Sequence, residues 1–125
     1  MISLSKEQVK RLHKNMIIAT GGSDGIRDES LLDSALSAPN QTFDGIELYQ
    51  STAAKIARIA YNIVCNHPFV DGNKRIGTYV MLVLLELNHI EVDFTDDDIV
   101  RIGLELASGK MDYSELFSMI LTRSE

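Results

Sequence analysis

His67-Pro68-Phe69-Val70-Asp71-Gly72-Asn73-Lys74-Arg75 joins two helical patterns and decides how the chain folds around them. Before it, Ala53, Ile56, Ala57, Ala60 and Val64 recur at helical spacing, so one face of that segment is core. Lys55, Arg58, Asn62 and Asn66 fall on the other side. Pro68 disfavours helical backbone for the residue before it, which puts His67 at the break. A second helix is expected to start near Asp71 and run to about Asn88. Its residues Ile76, Tyr79, Val80, Leu82, Val83, Leu84, Leu85 and Leu87 leave little polar face, which predicts the central, buried helix.

The same nine residues carry chemistry. A helix N-terminus presents unpaired N–H groups and a positive dipole end, and so attracts phosphate. Gly72 lets backbone approach a ligand closely. Lys74 and Arg75 place two cations in the first turn, where they cost roughly 0.3–1 kcal/mol unless an anion reverses the sign. Asp71 reads two ways, as a helix cap worth about 1 kcal/mol or as a ligand for Mg²⁺, which takes one or two carboxylates plus phosphate oxygens. Asn73 also reads two ways, as a ligand of phosphate or metal or as an amide satisfying the loop backbone. His67 is the candidate base, since imidazole exchanges a proton near neutral pH. Phe69 is read as an apolar anchor for the loop.

Outward from this stretch the chain reads as successive helices. Ser5 with Gln8 forms a capping-box pattern opening a helix to about Thr20, which Gly21-Gly22 stops. Asp28 caps a second helix through Leu31, Leu32, Ala35 and Leu36, ended by Pro39. Phe43-Asp44-Gly45-Ile46-Glu47-Leu48 carries the Asp-Gly signal of a tight turn, predicting a hairpin or flap. Ser51 caps the helix before the motif. Thr95 with Asp98, and Asp112 with Glu115, open two more helices, the first closed by Gly109. The expected fold class is all-α: a compact bundle of about six helices with a small β-hairpin, residues 1–125 forming one domain.

Composition narrows the function. The net charge of −6 argues against direct nucleic-acid binding, which needs phosphate neutralisation by Lys and Arg. The longest apolar run, Tyr79 to Leu85, is too short to cross a bilayer, so no membrane role is expected. The lone Cys65 excludes an intrachain disulfide and reads as a small core residue, fitting a cytoplasmic protein. His13 and His89 are read as surface or cap residues. Met16, Met81, Met111 and Met119 are read as packing residues. Gly21, Gly22 and Gly25 lack the context of a phosphate loop.

The nine-residue stretch resembles the H-x-F-x-[DN]-[AG]-N-K-R signature of the Doc (death on curing) toxins, within the Fic superfamily. The resemblance extends to the helical plan, the hairpin before the motif and the apolar helix after it, and implies the Fic fold. Where nucleotide-transferring Fic enzymes have a glycine this chain has Lys74, and where they have a second arginine it has Thr78. Both departures are those of Doc, whose members pass the γ-phosphoryl group of ATP to elongation factor Tu and stop translation. The resemblance implies His67 as general base, Asp71 as Mg²⁺ ligand, and Gly72, Asn73, Lys74 and Arg75 as phosphate holders. It implies the Phe43–Leu48 hairpin as the flap that pairs with an extended target segment. Ser3 to Gln8 comes nearest to the inhibitory [ST]-x-x-x-E-[GN] motif of other Fic proteins but ends in Gln. Control in trans by a Phd-like antitoxin is therefore expected. Two other activities remain open: nucleotidyl transfer (AMPylation) to a protein hydroxyl, and a non-catalytic antitoxin-binding regulator.

Overall fold

The computed structural model describes residues 1–125. The helices are α1 (Lys6–Thr20), α2 (Glu29–Ser37), α3 (Thr52–Asn66), α4 (Asn73–Leu87), α5 (Asp96–Ser108) and α6 (Tyr113–Arg123). A short 3-10 turn, Ala38–Asn40, follows α2 and contains Pro39. A two-stranded antiparallel hairpin, β1 (Thr42–Phe43) and β2 (Ile46–Glu47), precedes α3. The all-helical plan, the helix count and the hairpin agree with the sequence.

Local chemistry sets most element ends. Ser5 and Gln8, Thr95 and Asp98, and Asp112 and Glu115 each form reciprocal capping boxes. Asp28 accepts from Ser30 and Leu31 N–H, and Ser51 from Ala54 N–H. The hairpin register pairs Thr42 with Glu47 and Phe43 with Ile46. Its turn residues Asp44 and Gly45 both have positive φ, 52° and 76°, the backbone that an Asp-Gly turn favours.

One of the two readings of Asp71 and the expectation of a central α4 fail. Asp71 does not cap α4: Gly72 occupies the cap position at φ 77° and the helix starts at Asn73. The carboxylate of Asp71 is instead drawn sideways to the Ser23 N–H at 3.1 Å. Nor is α4 the centre of the bundle. That place belongs to α3, which packs against α2, α4, α5 and α6, whereas α4 touches α1, α3 and α5. One side of α4 stays open, leaving Tyr79 41% and Leu87 37% exposed.

The core is one cluster of 23 buried apolar residues, led by Ile56, Ile59 and Ile63 of α3 and Ile76, Met81 and Leu84 of α4. The two helices approach each other tightly just beyond the motif. A Cβ on Gly77 would lie 2.5 Å from Val64 Cγ2 and 3.3 Å from the Ala60 carbonyl, so only glycine permits this approach. That contact fixes the motif loop between the end of α3 and the start of α4. Cys65 is half-buried rather than fully in the core, its thiol directed at the Leu106 carbonyl. No helix is long and apolar enough to cross a membrane.

Candidate functional site

The motif loop is built around a left-handed turn. His67 ends α3 at φ 52° and ψ 59°, a conformation uncommon outside glycine, and its side chain is exposed. Arg27 holds it there. The guanidinium donates to the His67 carbonyl at 2.6 Å through Nε and to the Asn66 carbonyl at 2.8 Å through Nη2. Carbonyls orphaned at the end of α3 are thereby satisfied by a charged donor. The backbone N–H groups of Arg27 and Asp28 both donate to the Pro68 carbonyl, and Ile26 bridges to Phe69.

Phe69 is 1% exposed and is the anchor expected. Asn73 serves it on both sides, its Oδ1 accepting from Phe69 N–H and its Nδ2 donating to the Phe69 carbonyl, each at 3.0 Å. The Asn73 side chain is thus spent on the loop, and what it can offer an anion is its backbone N–H. The first intrahelical bond of α4 runs from Ile76 N–H to the Gly72 carbonyl. The amides of Asn73, Lys74 and Arg75 therefore have no helical acceptor and open toward the motif.

Asp71 is gripped by backbone. Oδ2 accepts from Ser23 N–H at 3.1 Å and Oδ1 from Gly72 N–H at 2.8 Å. Those two bonds, Ser23 first, hold its carboxyl below the ordinary carboxylate range, and the nearby charge of Arg75 adds to the effect. A carboxylate kept charged with one amide per oxygen retains lone pairs for a cation. No group of three His, Cys, Asp or Glu side chains forms a metal cage anywhere in the chain. The donor set fits Mg²⁺ brought in on nucleotide phosphates, which needs few protein carboxylates. It does not suit a metal held by protein alone.

Arg75 donates through Nη1 to Thr20 Oγ1 at 2.6 Å and to the Gly21 carbonyl at 3.0 Å. Lys74 is exposed, with its Cβ against Gly103 of α5. Lys74 and Arg75 border a groove of about 350 Å³ between α1, α4 and α5, whose walls carry Thr20 and Thr78 beside apolar groups such as Met16, Leu82 and Leu104. The structure thus brings His67, Asp71, Gly72, Asn73, Lys74 and Arg75 into one loop and helix start. No hydrogen bond joins the hairpin residues Phe43 to Leu48 to the motif; Glu47 instead accepts from Lys55 on the first turn of α3 at 2.8 Å.

The sequence did not point to the α1–α2 loop. Gly22 abuts the site so closely that a Cβ there would lie 2.6 Å from Asp71 Oδ2. With Ser23 and Arg27, Gly22 forms the second wall of the site. His13, expected at the surface, is completely buried beneath the loop and stacked on Phe69. The signal for its burial was present, since Val9, His13, Met16 and Ile17 share one helix face.

The Fic/DOC family profile matches residues 3–85. A protein named Toxin Doc from Mycolicibacterium smegmatis (strain ATCC 700084 / mc(2)155) is 32% identical over 101 residues, covering 79% of this chain and 78% of that protein. The matched span takes in α1, the glycine-rich second wall and the whole motif, and the chain belongs to the Fic/Doc family.

Proposed function

We propose that this chain is the toxin of a toxin–antitoxin module, and that it acts as a Mg-ATP-dependent protein kinase on a hydroxyl of a translation factor, elongation factor Tu. Residues 1–125 act as one catalytic unit in the cytoplasm. The observation that carries this reading is Lys74. It stands exposed at the start of α4, beside Arg75, where nucleotide-transferring relatives have glycine. A lysine there fills space that a nucleotide's inner phosphates would need and adds a charge suited to the terminal one.

In this reading His67 takes the proton of the target hydroxyl. The hydroxyl oxygen bonds to the γ-phosphorus as the bond to the β–γ bridging oxygen breaks, and ADP departs. The amides at the start of α4, with Lys74 and Arg75, stabilise charge on the phosphoryl oxygens. Asp71 holds Mg²⁺, which supplies charge neutralisation on the phosphates. The hairpin receives an extended target segment along its edge. An antitoxin resembling Phd restrains the enzyme in trans. The groove beside Lys74 and Arg75 suits a segment with an apolar face and an acidic end.

The test uses ATP labelled at the α or the γ position, with Mg²⁺ and elongation factor Tu. Label from γ alone is expected. Label from α means nucleotidyl transfer and overturns the kinase reading. His67→Ala is expected to lower the rate by about 10²–10⁴-fold. Growth arrest on expression that disappears with His67→Ala would count against a non-catalytic regulator.

A further inference from the structure

The two charged side chains at the heart of the motif are not placed by the motif alone. Both residues are tied to one face of α1, Asp71 by its main-chain carbonyl and Arg75 by its guanidinium. His13 is fully buried, its ring stacked on Phe69 with centroids 3.9 Å apart and planes 10° from parallel. Its Nε2 lies 2.7 Å from the Asp71 carbonyl oxygen. A carbonyl offers only lone pairs, so Nε2 carries the proton and donates. Two turns along, Thr20 Oγ1 gives its own proton to the Met16 carbonyl at 2.8 Å. Its free lone pair therefore faces the Arg75 guanidinium, which donates through Nη1 at 2.6 Å. Nη1 is also taken by the Gly21 carbonyl. The remaining donors of Arg75, Nε and Nη2, are left for a ligand.

We propose that His13 and Thr20 are positioning residues, with α1 setting the separation and orientation of Asp71 and Arg75. The proposal rests on the kinase reading above for what those two side chains hold. His13 works through main chain: it pins the Asp71 peptide, while Ser23 and Gly72 amides pin the carboxylate at the other end. Thr20 works on the guanidinium directly and fixes the plane in which its free donors point. Positioning of this kind matters because phosphoryl transfer depends chiefly on holding phosphates in line.

Four variants separate positioning from folding. Thr20→Val removes the acceptor at an exposed position, and Thr20→Ser restores it. His13→Phe keeps the stacked ring but lacks the donor, whereas His13→Gln keeps an N–H close to the Nε2 position. The readouts are melting temperature, the dissociation constant for Mg-ATP by calorimetry, kcat and KM, and the amide NMR signals of Ser23 and Gly72. Thr20→Val is expected to weaken Mg-ATP binding roughly 3- to 10-fold with an unchanged melting temperature, the scale of one hydrogen bond, and Thr20→Ser to recover it. His13→Phe is expected to shift the Ser23 and Gly72 signals and lower kcat, with recovery in His13→Gln. Thr20→Val and His13→Phe proteins with wild-type affinity and wild-type amide signals would overturn the proposal. So would losses that only follow the melting temperature. If His13→Phe does not fold, Thr20→Val decides. If the wild type neither binds Mg-ATP nor transfers phosphate, the kinase reading fails. The amide signals then still report whether α1 holds the loop.

Discussion

The motif loop and the hairpin are both short, both turn through positive φ, and are secured in opposite ways. Residues 67–75 are held from outside by bonds spanning 40 to 58 positions of sequence, from Arg27, Ser23 and His13. The hairpin is held only at its base. Glu47 pairs with Lys55, and Tyr49 packs 5.1 Å from the Arg58 guanidinium and edge-on to Tyr113. Its tip is bare, with Phe43 70% and Ile46 62% exposed. The loop is braced by α1 and by the segment between α1 and α2. The hairpin keeps unsatisfied apolar surface and an open edge, which suits a partner that completes it. Perturbations of one region should therefore register in stability and chemistry together, and those of the other chiefly in recognition.

Glycine replacement gives the largest expected contrast. Gly22 has φ 118°, and its new Cβ would meet Asp71 Oδ2 at 2.6 Å and Ile17 Cδ1 at 3.0 Å. That carboxylate is fixed by two amides and does not swing away. Gly22→Ala should destabilise by roughly 2–3 kcal/mol and abolish transfer. Gly45 in the hairpin has φ 76° with nothing within 4 Å, so Gly45→Ala should cost only about 1 kcal/mol. Chemical denaturation of both variants measures the difference. Equal costs would mean that the loop is no more tightly braced than the hairpin.

Arg27→Ala comes next. It removes both donors from the carbonyls at the end of α3 and frees His67 from its left-handed turn. Water can replace part of what is lost, so about 1–2 kcal/mol of stability is expected to go. The transfer rate should fall further than that loss explains, since His67 is no longer aimed. A stability loss with full activity would show that the αL conformation is incidental.

How much of this was legible in the sequence follows the same division. Helix starts were readable because a cap and its reciprocal partner lie three residues apart, as in Ser5 with Gln8 or Asp112 with Glu115. The hairpin was readable because Asp44-Gly45 is itself the turn. The motif residues stand close in sequence, so their clustering was readable as well. The brace was not. Nothing local says that Ser23 will claim the Asp71 carboxylate and leave Gly72 to cap α4. Propensity favours aspartate as a cap, and a tertiary bond overrode it. The α1–α2 loop read as a helix stop because its Ser23 serves a carboxylate 48 residues away. The apolar character of α4 suggested full burial, whereas part of it lines the open groove with α5.

Acid titration probes the loop more gently. The folded-state pKa of Asp71 is depressed, chiefly by the Ser23 amide. Its contribution to stability is present above the unfolded aspartate value near ~3.9 and is lost as pH falls through the lower folded value. Wild type should lose stability on acidification below about pH 4, and Asp71→Asn should lose less over the same window. Parallel curves for the two proteins would mean that the carboxylate is not held charged by the loop.

The smallest effect on stability belongs to the hairpin tip, where the comparison is sharpest. Phe43 contributes little to the core at 70% exposure, so Phe43→Ser should alter unfolding free energy by no more than about 0.5 kcal/mol. Binding of Mg-ATP should match wild type, because the nucleotide contacts proposed at Asp71, Lys74 and Arg75 lie in the other region. If the tip receives the target, KM for elongation factor Tu should rise, with kcat for the bound target kept. A phenyl ring buried against a partner is worth roughly 1.5–3 kcal/mol, which corresponds to a rise of about 10- to 100-fold. An unchanged KM would remove the hairpin from target recognition and leave its exposed apolar pair unexplained. A fall in kcat with KM unchanged would place the tip closer to the chemistry than its anchorage on the first turn of α3 suggests.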